Sequence, residues 1–336
     1  MTHRNFWLSC GQKLLVFLLS IFVLSAAVFY AARLSPGDPL VSYYGGRAEK
    51  MTPEERSRAE ERLGLHDAVH VQYLRWLRDA AHGEFGVSYK YKTDVLKVIW
   101  GRFPNTLILG GASFALIFTL ALGLGILCVW YEGRWLDRLI CRAGTVVSCV
   151  PEFWLSLVLI LVFSVWLRWL PSSGAYTVGR EYDLSDRILH LLLPVTVATA
   201  GHLWYYAYMV RSRLLDELRA GYVLFAEAKG LVKRTVLFRH CLRNVLPSYL
   251  SMMAVSVPHI LGGTYIIEAV FSYPGLGTLA YESARWKDYN LLMVLCLFTG
   301  IAVIFCGMLA QILNERIDPR IREALPPQER KENGHG

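Results

Sequence analysis

Six stretches of this chain are too long and too apolar to be left in water. The first, 14–32 (LLVFLLSIFVLSAAVFYAA), contains no charged residue. About 20 apolar residues in helical form span the hydrocarbon core of a bilayer. Comparable runs occupy 106–131, 143–167, 188–210, 245–270 and 291–313. Inside lipid no water satisfies backbone N–H and C=O groups, so a spanning segment must satisfy its own, as an α-helix does. Six such runs in 336 residues predict an all-α polytopic membrane protein with six transmembrane helices. A composition that is 54% hydrophobic would suit a large soluble protein, but this distribution excludes one. Arg4 and Lys13 before the first run also fit a signal peptide. That run is longer than a usual signal-peptide core, and its removal would leave five spans.

The charge pattern orients the spans. A net charge of +8 reads here as the positive cytoplasmic loops of a membrane protein, with the lipid bilayer and not nucleic acid as the partner. Residues 210–245 carry Arg211, Arg213, Arg219, Lys229, Lys233, Arg234, Arg239 and Arg243 against Asp216, Glu217 and Glu227. The loop 132–142 has Arg134, Arg138 and Arg142 against Glu132 and Asp137. On the opposite side, 171–187 is slightly acidic and 271–288 is balanced. Both termini are therefore expected in the cytoplasm. The domain order is then a cytoplasmic N-terminus (1–13), a first span (14–32), an external helical region (33–105), a membrane core (106–313) with a cytoplasmic insert at 211–245, and a cytoplasmic tail (314–336).

The external region carries its own helix signals. Thr52-Pro53-Glu54-Glu55 reads as a helix start, with Thr52 as cap, Pro53 in the first turn and Glu55 closing a capping box. Gly64 is the expected stop. A second, amphipathic helix carries Val69, Tyr73, Leu74 and Leu77 at helical spacing, a stripe expected to pack on the membrane domain or the neighbouring helix. His66 and His70 are spaced i, i+4 and would share a helix face, a metal-ligand spacing that also suits two solvated histidines.

No phosphate-binding loop of the form GxxxxGK[ST], no HExxH and no GxSxG occurs. The seven cysteines are scattered without a CxxC pair, so no zinc site or disulfide framework is indicated and no metal or cofactor is expected in this chain. Ionisable residues inside spans are the functional candidates. Glu152 lies about a third of the way into the third run, and His202 lies in the fourth. His259 is near the middle of the fifth, where Pro258 and Gly262-Gly263 suggest a broken helix, and Glu268 is at its external end. Glu152, His259 and Glu268 are candidates for a translocation path. The bland alternative, a polar group satisfied across helices, fits His202 better. Glu268 can also be read as the cap and anchor of a turn.

The remaining feature is the basic insert, FAEAKGLVKRTVLFRHCLRNVLP at 225–247. Two helical pieces are expected, parted near Gly230, with Val232, Val236, Leu237 and Phe238 as the apolar face of the second. Such a helix could lie on anionic lipid or dock on a protein. The order of residues decides further. AKGLVKRTVLFRHCLRN resembles the coupling segment of permease subunits of binding-protein-dependent ABC importers, in particular the dipeptide, oligopeptide and nickel permease family. Other matching pieces follow in order: Ser35-Pro36-Gly37-Asp38-Pro39, Leu63-Gly64-Leu65, Gln72-Tyr73, Gly83-Glu84-Phe85-Gly86-Val87-Ser88, Pro151 with Phe153, Leu170-Pro171-Ser172-Ser173-Gly174, Glu268 to Gly277, and Asp318-Pro319-Arg320-Ile321-Arg322. The sequence departs from the broader family motif six and five residues before Gly230, where Leu224 and Phe225 stand.

The resemblance implies a type I ABC importer permease in a bacterial inner membrane that imports short peptides. Nickel or a nickel chelate is the alternative substrate, and a non-transporting scaffold or sensor on the same fold is the alternative of another class. It implies a transport subunit without catalysis of its own. The partners would be a second, homologous permease (a heterodimer or a homodimer), two ATPase subunits and an extracytoplasmic substrate-binding protein. It also implies that Glu227, Ala228, Lys229, Gly230, Lys233, Arg234, Arg239 and Arg243 meet the ATPase.

Overall fold

The computed structural model describes residues 3–34 and 40–317, so the expected motifs at 35–39 and 318–322 lie outside the described residues. Among the described residues the chain is helical, without a strand and with a single isolated bridge between Val87 and Asp94. Among the described residues four helices are long and apolar enough to cross a membrane, and up to six spans result if each of two bent pairs counts as one.

The first helix, α1, runs His3–Leu34. Leu14, Leu15, Val16, Leu18, Leu19, Phe22 and Val23 on it are each more than half exposed, a surface suited to lipid and not to water. After a short turn at Val41–Tyr44 come α2 (Pro53–Leu63) and α3 (Val69–Ala81). The Thr52 hydroxyl accepts from Glu55 N, and the Glu55 carboxylate accepts from Thr52 N in return. Gly64, with φ +62°, ends α2 in the left-handed conformation that glycine adopts without strain. These are the caps expected from sequence. The expected helix face shared by His66 and His70 does not form. His66 sits in the turn between α2 and α3, because Gly64 has stopped one helix and the next begins at Val69. His66 faces Glu60 at 3.4 Å instead. Three of the four stripe residues of α3 pack as expected: Val69 and Leu77 lie against the same core as Tyr73, which is buried against Phe29 of α1 with its hydroxyl 2.8 Å from Ser25 Oγ, whereas Leu74 points outward and is 60% exposed.

The core is built on α4 (Val95–Trp130) and α7 (Leu184–Leu218), which lie along one another. Helix α4 starts eleven residues before its apolar run, because the Asp94 carboxylate caps it by accepting from Leu96 N. Between them the chain forms α5 (Trp135–Ser148) and α6 (Glu152–Leu159), which continues as a wide π-turn to Trp166. The single span expected at 143–167 is therefore broken, with α5 and α6 meeting at 98°. Pro151 is the cause, since it cannot continue a helix and pushes the residue before it out of the helical region.

Beyond α7 lie α8 (Gly221–Ala228), a turn at Lys233–Thr235 and a π-turn at Val236–Cys241 that runs directly into α9 (Leu242–Val270). The helix from Lys233 bends by 46° between Ile260 and Gly262, the break that Pro258 and the glycine pair predict. Two further helices, α10 (Leu276–Arg285) and α11 (Tyr289–Ile317), complete the fold.

Contacts define two ends of the bundle. At one end, Asn105 of α4 donates to Pro274 O and Phe29, Tyr73, Val95, Leu276 and Leu291 share a core. At the other, Lys233 Nζ donates to Trp130 O at the end of α4 (3.2 Å), and Val129, Leu214, Val223 and Leu237 share another.

Candidate functional site

Two places hold the ionisable residues that the sequence singles out. The first is a cavity of about 710 Å³ bounded by the start of α6 and the middles of α7 and α9. Glu152 enters it as the first residue of α6, immediately after the break at Pro151. His202 faces it from α7 and His259 from α9. His202 Nδ1 lies 3.2 Å from Ala198 O one turn back and 3.4 Å from Glu152 Oε1. The His202 and His259 rings meet edge to face with centroids 5.4 Å apart. Ser251, Ser256 and Tyr205 add hydroxyls, and Met252 and Val255 add apolar wall.

Glu152 and His259 are thus brought together, and Glu268 is not with them. Its side chain is fully buried near the other end of the fold. Its carboxylate accepts from Thr106 Oγ1 (2.7 Å), Gly277 N (2.6 Å) and Thr278 N (3.4 Å), and it holds the turn between α9 and α10. Of the two readings open for Glu268, the turn anchor is the one whose geometry is present. His202 has the geometry of its bland reading, a polar group bonded to Ala198 O and to Glu152 across helices, and it also lines the cavity with Glu152 and His259. They are far apart in sequence on three helices, so no local spacing signals the group.

A further group escapes the sequence for the same reason. Cys128, Asp137 and Cys141 bring three donor atoms within 4.8 Å of one another across α4 and α5. Both Asp137 oxygens accept from Arg211, at 2.8 Å each, so the guanidinium already neutralises the carboxylate that a cation would need.

The second place is the basic insert. Glu227, Ala228, Lys229, Gly230, Lys233, Arg234, Arg239 and Arg243 are all exposed. Gly230, at φ +80°, makes the expected parting between two helical pieces. Lys229 Nζ stacks over the Phe225 ring at 4.4 Å. None of Arg234, Arg239 and Arg243 pairs with an acid among the described residues. The apolar face differs from the expected one. Val236 and Leu237 are fully buried against this chain's own α4 and α7 core, so they are not free to meet a partner. The outward apolar residues are Leu224, Phe225, Val232 and Phe238, from 46% to 70% exposed. Helical period identifies an apolar face but not what covers it.

With this geometry in hand, comparison with known proteins is specific. The family model "Binding-protein-dependent transport system inner membrane component" matches residues 118–323, and the N-terminal model of the same transport systems matches 10–110. The oligopeptide transport system permease protein AppB of Bacillus subtilis is 35% identical over 305 residues, covering 90% of this chain and 95% of AppB. The metal-staphylopine import system permease protein CntB of Staphylococcus aureus is 32% identical over 304 residues, covering 90% of this chain and 94% of CntB. The inward-facing MetNI methionine ABC transporter superposes with a TM-score of 0.53 at 17% identity, over 67% of this chain and 96% of the other, which shows a shared fold. The chain belongs to the binding-protein-dependent inner membrane component family, and within it to the peptide-permease branch of ABC importers. It is a multi-pass inner-membrane protein of a transport system.

Proposed function

We propose that this chain is a permease subunit of an ATP-driven importer that carries short peptides across a bacterial inner membrane. Hydrolysis takes place in two separate ATPase subunits that dock on residues 222–245. A second, homologous permease completes the pathway, and an extracytoplasmic binding protein delivers the substrate. The insert and both termini then lie in the cytoplasm, as the positive loops require. The observation that carries the reading is continuity. The helix that begins at Lys233, beside the exposed basic residues, runs unbroken through Ser251, Met252 and Val255 to His259 at the cavity wall. A displacement of the insert therefore moves the wall of the cavity. The likeness to AppB favours peptides as cargo. The likeness to CntB favours a metal chelate as the second reading. A scaffold or sensor would keep the fold and lose this coupling.

Because Val236 and Leu237 are core residues, the test must touch only the exposed face. The substitutions Phe225→Asp and Arg239→Glu, made together, should leave membrane abundance unchanged and abolish peptide uptake. Stimulation of the ATPases by loaded binding protein should disappear with it. Normal uptake in that variant would refute docking at 222–245.

A further inference from the structure

We propose that the cavity at Glu152, His202 and His259 receives the protonated amino terminus of the transported peptide, with Glu152 as its charge partner. This rests on the peptide-importer reading above. The charge inventory points to a cation. Among the described residues Glu152 is the only acid lining the cavity, no Lys or Arg lines it, and no Lys or Arg lies within 4.0 Å of the carboxylate. A carboxylate within the membrane core is costly, and such residues mark substrate and ion paths. Its one contact with a basic side chain among the described residues is the His202 ring at 3.4 Å, and a full positive charge is what a peptide's amino terminus brings.

The surroundings are shaped around these two side chains. A Cβ at position 201 would lie 2.3 Å from Glu152 Oε1, so Gly201 on α7 lets the carboxylate lie where it does, and a larger residue there would push it aside. Gly263 of α9 lies against the His202 ring, whose atoms would be 3.3 and 3.5 Å from a Cβ there. The Nδ1–H of His202 is committed to Ala198 O, with Glu152 alongside, which leaves Nε2 of the neutral ring as an acceptor. An ammonium group carries three donors and needs such an arrangement of acceptors. Ser251 also lines the cavity; the residue is 9% exposed and its hydroxyl is buried without a hydrogen-bond partner. The volume, about 710 Å³, falls in the range of small-molecule sites.

A bare divalent cation fits less well. Among the described residues only Cys128, Asp137 and Cys141 bring three metal-ligating atoms within 4.8 Å, so Glu152, His202 and His259 do not form a ready coordination shell. The wide, hydroxyl-lined space suits an ammonium on a short chain.

The test uses the full transporter, purified with its partner subunits, in nanodiscs without the binding protein, whose own selectivity is thereby removed. Binding of trialanine and of N-acetyl-trialanine is measured for wild type, E152Q, E152D and G201A. Trialanine should bind wild type better than its acetylated form. E152Q should weaken trialanine about tenfold, abolish the preference, and leave the acetylated peptide unchanged. E152D should recover part of the preference. G201A keeps the carboxylate but displaces it, and it should lose the preference too, which provides a readout if E152Q does not assemble. Equal weakening of both peptides, an unchanged E152Q, tighter binding of Ni²⁺ than of trialanine, or no binding to wild type overturns the proposal. Trialanine uptake by cells separates this failure from that of the parent reading. Uptake without Glu152-dependent binding removes the site and keeps the importer. Absence of any peptide uptake by wild type removes both.

Discussion

Glu268 shows how one buried side chain fixes the joint between two helices. Its carboxylate draws donors from α4 (Thr106) and from the start of α10 (Gly277 and Thr278), while Thr106 Oγ1 in turn accepts from Leu276 N at 2.8 Å. Gly275 and Gly277 permit this approach, since a Cβ at either would come within 3.0 Å of the carboxylate. Replacing Glu268 by alanine leaves a buried hydroxyl and buried N–H groups without an acceptor. Each such orphan costs about 1–3 kcal/mol, so a total loss of roughly 3 kcal/mol is expected. Glu268→Ala should lower the thermal midpoint of the detergent-solubilised protein clearly. Glu268→Gln keeps one carbonyl acceptor and should lower it less. Equal midpoints for alanine and wild type would mean that the turn is held by its apolar neighbours Phe271 and Tyr273 instead. At this scale the sequence was partly legible. The short motif around Glu268 announces a turn, but the partnership with Thr106 spans 162 residues and has no local signature.

At the scale of elements, the segment after α3 is tied to α10 and α11 by charge. Lys90 Nζ and Tyr91 Oη both donate to Glu282 Oε2, and Ser88 Oγ and Lys90 N donate to Asp288. Burial works against the Glu282 carboxylate, but the hydrogen bonds from Lys90 and Tyr91 outweigh it and hold the group below its ordinary value of 4.5. Burial, aided by Glu282, pushes the Tyr91 hydroxyl up to about 12, so it remains a donor throughout the acid range. A carboxyl with a depressed pKa contributes stability above its unfolded value, and that contribution is lost as pH falls through the folded one. The tie should therefore be intact at neutral pH and weaken below about pH 4.5. Hydrogen exchange at 88–94, compared with the same amides in Glu282→Gln, checks it. Wild type should be the better protected at pH 7, and the difference should shrink on acidification. A difference that is constant with pH would exclude the carboxylate as its source. Elements were more legible than their joints. Helix α2 was readable to its caps because a capping box and a terminal glycine are local devices. The fold at Pro151 was not, because mean apolarity is blind to direction and 143–167 is apolar on both sides of the bend.

At the scale of the whole molecule, the six apolar runs were legible because lipid imposes one solution on the backbone wherever it is crossed. The cavity was not, because three helices meet there and only long-range packing sets their depth. That packing also determines how force would travel. Glu217 at the end of α7 accepts from Tyr222 Oη of α8 (2.7 Å) and from Asn244 Nδ2 of α9 (2.9 Å). One carboxylate thus clamps the helix before the insert, the insert itself and the helix after it. If the insert is the handle of the transporter, this clamp keeps its movement in step with α9 and hence with the wall at Ser251 to His259. Glu217→Ala removes the clamp without opening the core, because Val223, Val236 and Leu237 remain packed. The expected result is slippage and not collapse. Loaded binding protein should still stimulate ATP hydrolysis, while peptide import per ATP falls severalfold. Asn244→Ala removes one of the two bonds and should give a smaller fall. The ratio of ATP hydrolysed to peptide imported in proteoliposomes is the deciding measurement. A proportional loss of hydrolysis and import at constant ratio would place Glu217 in docking or assembly. A rise in the ratio would place it in the linkage between the insert and the cavity wall.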